Sequence, residues 1–368
     1  MNTHLRAAVG EAITRLRTSD VAGATAAIQR ALAGKPAAAG QQPRACAPSE
    51  AGLYGPFPRR LGEVLNLLRA GKAQFATSPR EAETPHELNG SDARFSARSF
   101  RCAAGSSSYK LYAPADHTER NLALVLMLHG CTQNPDDFAR GTRMNALADE
   151  FGLIVAYPHQ PRAANAQGCW NWFDPRHQRR GAGEPAVLAG LAQELAGEFG
   201  IHRKRVFVAG LSAGGAMADI LASTYEDVFS AAGIHSGLPH GAASDVMSAF
   251  AAMKGNATPA APRNQTNCRR IIVHGASDAT VHASNGTMLF DRARSQSGAW
   301  QELTTETIID GKRVTRTLLA PDAGPIIAEH WVVEGGGHAW SGGDRAGSFT
   351  DATGPDASRE MVRFFLAG

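Results

Sequence analysis

Apolar residues follow two rhythms between residues 94 and 368. Short unbroken apolar runs occur at Leu122–Leu128, Leu153–Tyr157, Arg205–Ala209, Ala231–His235, Ile271–His274 and Glu329–Val333. A strand with one wet face alternates apolar and polar residues, so continuous runs predict strands covered on both faces. Ser107–Tyr112 predicts an edge strand. Between these runs, apolar positions recur every three or four residues, predicting helices at Met144–Phe151, Glu184–Phe199, Ala216–Leu221 and Ala357–Leu366. Buried strands separated by helices predict an α/β fold, a mostly parallel sheet with helices on both faces. In that architecture a site lies at the carboxyl ends of the strands.

The pattern changes before residue 94. Leu5, Val9, Ile13 and Leu16 share one helical face, and after Ser19-Asp20 a second helix would carry Val21, Ile28 and Leu32. Two such helices bury little alone, so they are expected to dock on the main domain or to pair with a second copy as a homo-oligomer. A regulatory or polymer-binding role is the other reading. From Gly34 to about Ser99 the chain turns to Pro, Gly, Ala and polar residues, with Leu61–Leu68 as the only apolar cluster. The expected organisation is an N-terminal helical extension and linker over 1–93 and an α/β domain over 94–368.

Composition narrows the classes. Hydrophobic residues make up 43% and charged residues 19% of the 368, with a formal net charge of +3, which fits a globular protein with an ample core. The small excess of Lys and Arg is scattered, so a nucleic-acid partner is not expected. No apolar stretch approaches the ~20 residues needed to span a bilayer, and Met1–Arg6 lacks a signal-peptide core, giving a cytoplasmic expectation. The five cysteines, Cys46, Cys102, Cys131, Cys169 and Cys268, show no C-x-x-C spacing, so no zinc site is expected. Phosphate-binding glycine motifs are absent as well, and no cofactor is expected.

Chemistry concentrates on V-F-V-A-G-L-S-A-G-G at Val206–Gly215. A strand passing through G-x-S-x-G into a helix is a nucleophile elbow: the sharp turn lifts a serine hydroxyl above the sheet, and the glycines let backbones approach. Ser212 is the candidate nucleophile. A serine hydroxyl needs a base, and the base an orienting carboxylate, in the chain order Ser, acid, His. Asp278, directly after the run Ile271–His274, is the candidate acid; Asp291, Asp322 and Asp344 follow no apolar strand so closely. His338, after Gly335–Gly337, is the candidate base, whereas His129, His159, His235, His274 and His282 read as turn or core residues. The oxyanion hole needs two backbone N–H groups: Ala213 supplies one, and Cys131 or Thr132 the other. Trp172 and Phe173, in C-W-N-W-F, and Trp340 fall on loops, where they read either as core or as an apolar wall for an acyl chain or polymer.

Seven ordered motifs carry a resemblance. They are L-H-G-C-T-Q at Leu128–Gln133, A-Y-P-H-Q at Ala156–Gln160, C-W-N-W-F at Cys169–Phe173, G-E-P at Gly183–Pro185, G-L-S-A-G-G-A-M-A at Gly210–Ala218, H-S-G-L-P at His235–Pro239 and G-H-A-W-S-G-G at Gly337–Gly343. From about Phe100 onward the chain resembles the poly(3-hydroxybutyrate) depolymerase-like esterases, relatives of feruloyl and acetylxylan esterases. The resemblance implies an α/β-hydrolase fold and a metal-free serine esterase with Ser212, Asp278 and His338 as triad and an oxyanion donor at Cys131. It also implies that Cys131 and Cys169 form a disulfide. The expected activity is hydrolysis of poly(3-hydroxybutyrate) or its oligomers through an acyl-enzyme. A feruloyl or acetylxylan esterase, a hydrolase of small esters, and a binding protein on a hydrolase fold are the alternatives.

Overall fold

The structure is a computed structural model that describes residues 94–115, 121–257, 268–296 and 300–368. The expected helices of residues 1–34 and the linker after them lie outside the described residues.

The chain enters through the hairpin β1 (Phe95–Cys102) and β2 (Gly105–Tyr112), then β3 (Ala123–Leu128), α1 (Pro135–Thr142), α2 (Met144–Phe151) and β4 (Leu153–Pro158). Next come α3 (Gly183–Glu198), β5 (Val206–Leu211), α4 (Ala213–Thr224), β6 (Ala231–His235), α5 (Val246–Met253), β7 (Arg269–Gly275) and α6 (Ser284–Gln296). A long hairpin, β8 (Trp300–Ile309) and β9 (Lys312–Pro321), precedes β10 (Ala328–Val333), a two-residue pair β11 (Trp340–Ser341) and β12 (Thr350–Asp351), and α7 (Ala357–Leu366). Ten strands form one sheet in the order β1-β2-β4-β3-β5-β6-β7-β10-β9-β8. The six from β4 to β10 run parallel, and the hairpins add antiparallel strands at both margins. This is the expected α/β-hydrolase architecture, with one correction. Ser107–Tyr112 is not an edge strand, because β1 pairs along its whole outer side.

The continuous apolar strands bury alternate side chains in opposite layers. Leu124, Leu126 and Leu128 face Leu188, Leu191, Met217 and Leu221. Ala123, Val125 and Met127 face Phe138, Met144, Phe364 and Phe365 on the other side. Burying each large apolar side chain contributes about 1.5–3 kcal/mol, so both layers hold the sheet in a fixed register. The helices end for local reasons. Asn134 caps α1 by accepting the Asp137 N–H at 2.9 Å with Pro135 in the first turn, and α2 stops at Gly152, whose φ of 69° is left-handed.

Candidate active site

Ser212 stands between β5 and α4 with φ 58° and ψ −117°, a conformation costing about 1–3 kcal/mol in a non-glycine residue. Two bonds hold it: Ser212 N–H donates to His235 O, and Ala216 N–H donates to Ser212 O, both at 2.9 Å. The two elbow glycines answer the close approach. A Cβ on Gly214 would overlap the Leu128 and His129 carbonyls, and one on Gly210 would overlap the Gly214 backbone.

Asp278 follows β7 on a short loop. Its Oδ1 accepts the Thr280 N–H at 2.9 Å and the Val281 N–H at 2.8 Å, while its Oδ2 lies 2.7 Å from His338 Nδ1. A carboxylate oxygen accepts, so Nδ1 carries the proton and Nε2 is left free as a base. Burial alone would raise the Asp278 carboxyl, but the neighbouring His274 and His338 rings and the Val281 N–H outweigh it and hold the group well below the usual carboxylate range. His338 rides on the glycine run after β10. That run is tied to the acid loop by Ser277 N–H donating to Gly336 O at 2.9 Å, and Gly275 meets Gly336 too closely for a Cβ. The structure thus joins Asp278 and His338 directly. Among the described residues no hydrogen bond links the Ser212 hydroxyl to His338, and in ligand-free sites such bonds are often long until substrate arrives.

The loop after β3 abuts the elbow: a Cβ on Gly130 would lie 3.7 Å from Ser212 Cβ. On this loop Thr132 N–H donates to Gln167 O at 2.7 Å and Gly130 N–H to Gln133 Oε1 at 2.9 Å. No such acceptor takes the N–H of Cys131 or of Ala213 among the described residues, whereas the Thr132 N–H is taken up by Gln167 O. The buried ring of His129 shapes the turn. Its Nε2 accepts the Gln160 N–H at 3.2 Å, so its Nδ1 donates to Gly130 O at 2.8 Å, and burial lowers its pKa to about 4.

The implied Cys131–Cys169 disulfide is present, and it ties the loop after β3 to the aromatic loop. Glu184, at the start of α3, anchors the same loop. It accepts the Asn171 N–H at 2.8 Å, Asn171 Nδ2 at 2.6 Å and Gln160 Nε2 at 2.6 Å. The G-E-P and A-Y-P-H-Q motifs therefore support C-W-N-W-F, a role that sequence reading did not assign. A glutamate at a helix start among loop asparagines and glutamines was the available signal.

The expected apolar wall needs correction. Trp340 is only 1% exposed, stacks on His235 at 5.1 Å, meets Phe138 edge-on at 5.4 Å and donates Nε1–H to Ser358 Oγ at 3.0 Å. It is core beneath the His338 loop. Trp172 is buried as well, packed edge-on against the half-buried Phe173 at 5.8 Å. Tertiary packing, which sequence position does not reveal, covers both loops. His235 is buried and neutral, its pKa lowered to about 3 by burial first and by the neighbouring rings. Its Nε2 accepts the Ser341 N–H at 3.0 Å. Among the described residues no three His, Cys, Asp or Glu side chains gather in a metal-binding group, and no helix is long and apolar enough to cross a membrane.

Comparisons with known proteins bear on the fold and the family. Acetyl xylan esterase from Aspergillus awamori superposes with a TM-score of 0.55 at 20% identity, over 71% of this chain and 94% of that one, which shows the shared fold. The chain is 30% identical over 230 residues to poly(3-hydroxyalkanoate) depolymerase C of Paucimonas lemoignei, covering 59% of this chain and 55% of that protein. It is 34% identical over 164 residues to feruloyl esterase B of Neurospora crassa, covering 44% and 51% respectively. It thus spans about half the length of these curated relatives. The model of the esterase PHB depolymerase family matches residues 107–299, just over half of the chain. The chain belongs to the esterase PHB depolymerase family.

Proposed function

We propose that the protein is a serine carboxylic-ester hydrolase acting by acyl transfer, with Ser212 as nucleophile, His338 as base and Asp278 as orienting acid. The observation that carries this reading is the 2.7 Å bond between His338 Nδ1 and Asp278 Oδ2, which fixes the tautomer a proton-accepting Nε2 requires. His338 Nε2 takes the Ser212 proton as the hydroxyl oxygen attacks the ester carbonyl. The Cys131 and Ala213 N–H groups receive the charge that develops on the carbonyl oxygen. Collapse of the tetrahedral intermediate expels the alcohol, protonated by His338. Water activated by the same ring then hydrolyses the acyl-enzyme.

The substrate proposed first is poly(3-hydroxybutyrate) or its oligomers, supported by the family and by the depolymerase relatives. The kinship to feruloyl esterase B supports a second reading, an ester of plant polysaccharide, with the same residues in the same roles. Residues 1–93 are assigned as an N-terminal extension and linker, and residues 94–368 as the hydrolase domain. The test compares wild type with Ser212→Ala on amorphous poly(3-hydroxybutyrate) granules and on acetylated or feruloylated xylan, with products identified by mass. Ser212→Ala should stay folded and lose about 10⁴–10⁶-fold in turnover. Hydroxybutyrate oligomers from the wild type alone support the first substrate, and acetate or ferulate the second. Near-normal turnover by folded Ser212→Ala rejects the mechanism.

A further inference from the structure

His274 is a buried imidazole, fully enclosed at the end of β7, with no part in the mechanism above. Its Nε2 lies 2.8 Å from Val281 O. A carbonyl oxygen only accepts, so Nε2 carries the proton and Nδ1 keeps a lone pair. Among the described residues that Nδ1 has no hydrogen-bond partner. A buried acceptor left unpaired is destabilising, a cost that an apolar side chain at this position would avoid. What the imidazole supplies in return is its Nε2–H.

That N–H closes the acid loop. Asp278 N–H donates to Gly275 O at 3.2 Å at the near end of the loop. The Thr280 and Val281 amides grip Asp278 Oδ1 from within it, and His274 holds the Val281 carbonyl at its far end. The same Nε2 stands 3.6 Å from Asp278 Oδ2, the oxygen that receives His338. One donor therefore fixes Val281, the residue whose N–H orients the carboxylate, and directs its dipole at the oxygen that orients the base. The ring is held from behind. A Cβ on Gly286 would lie 3.1 Å from His274 Nδ1 and 2.8 Å from His330 Nε2, so the bare glycine of α6 leaves room for both rings. Phe290 stacks on His330 at 5.8 Å.

We propose that His274 is a positioning residue of the hydrolase, using its Nε2–H to lock the Asp278–Val281 loop so that Asp278 Oδ2 meets His338 Nδ1. This rests on the triad reading above, and the experiment separates the two. Kinetics on a soluble ester are normalised to the number of serines titrated by a fluorophosphonate, for wild type, Asp278→Asn, His274→Gln, His274→Asn and Gly286→Ala. The glutamine amide reaches the place of Nε2 and should keep kcat within about threefold of wild type, whereas the asparagine amide reaches only the place of Nδ1 and should lower kcat at least tenfold with KM within twofold. Gly286→Ala removes no donor but pushes the ring, and should lower kcat at unchanged KM even if His274→Asn fails to fold. Wild-type kcat in folded His274→Asn or Gly286→Ala overturns the proposal, as do equal losses in the Gln and Asn variants. Wild-type kcat in Asp278→Asn instead overturns the triad on which it rests.

Discussion

Trp340 sits between Phe138 and His235 with its indole N–H on Ser358, two residues from the candidate base. Removing a fully buried tryptophan costs about 3–5 kcal/mol. Trp340→Ala is therefore expected to lose that much stability in urea denaturation, with KM for a soluble ester little changed. A substrate wall would give the opposite split, a raised KM and an unaltered midpoint. The contrast with Ser212, Asp278 and His338 shows what was legible residue by residue. In an α/β-hydrolase sheet the proposed nucleophile, acid and base follow particular strands in a fixed order, so pattern picks them out of a linear chain, and the structure joins the second and third. Cys131 and Thr132 stay alike in the sequence because the bond that takes up the Thr132 N–H runs to Gln167 O, 35 residues further along. His274 reads from sequence as a turn or core residue because the loop closure proposed for it is a contact that no spacing encodes.

The six parallel strands were legible because burial on both faces leaves unbroken apolar runs. The β8–β9 hairpin left none: β8 reads W-Q-E-L-T-T-E-T-I-I and is exposed along most of its length. Its signal lay in the turn instead, where Asp310 at φ 46° and Gly311 at φ 79° form the Asp-Gly connection of a tight hairpin. The α1 helix was not among the expected helices; its signal lay in Asn134-Pro135-Asp136-Asp137 rather than in its apolar residues. The loops above the sheet depend on cross-links more than on their own sequence. The Cys131–Cys169 disulfide and the Glu184 hydrogen bonds converge on one aromatic segment. With Cys131 as the proposed oxyanion donor, Cys169→Ala is expected to lower kcat about tenfold, a fraction of the 10²–10³-fold that loss of a whole oxyanion donor costs. Dithiothreitol should act on the wild type in the same direction and leave Cys169→Ala unaffected. Full activity of the wild type after thiol counting confirms reduction would show that the Glu184 bonds alone hold the loop.

Burial of whole histidines couples the entire fold to pH. His129, His235 and His330 have their pKa values lowered to about 4, 3 and 4, in each case first by removal from water. In the unfolded chain each returns to about 6.5, so below that pH the unfolded state binds protons that the folded state refuses. Stability therefore rises with pH through this window and falls as pH drops from about 6.5 toward 4. The slope approaches about 1.4 kcal/mol per pH unit for each group, or about 2 kcal/mol per histidine by pH 5. Carboxylates act lower down. Burial would raise Asp219 and Glu329, but Arg270 beside Asp219, and Arg316 and Arg363 beside Glu329, hold both below their ordinary values, as the neighbouring rings do for Asp278. Their contribution persists until pH falls through about 4 and is lost beneath it. Urea denaturation at pH 7, 6 and 5 should thus show a steep decline well before any carboxylate titrates. His235→Gln tests the origin of that decline, since its amide oxygen preserves the acceptor for the Ser341 N–H while the proton-binding nitrogen is gone. The loss between pH 7 and pH 5 should shrink by about 2 kcal/mol in that variant. An unchanged loss would mean that His235 is not held neutral by the fold around it.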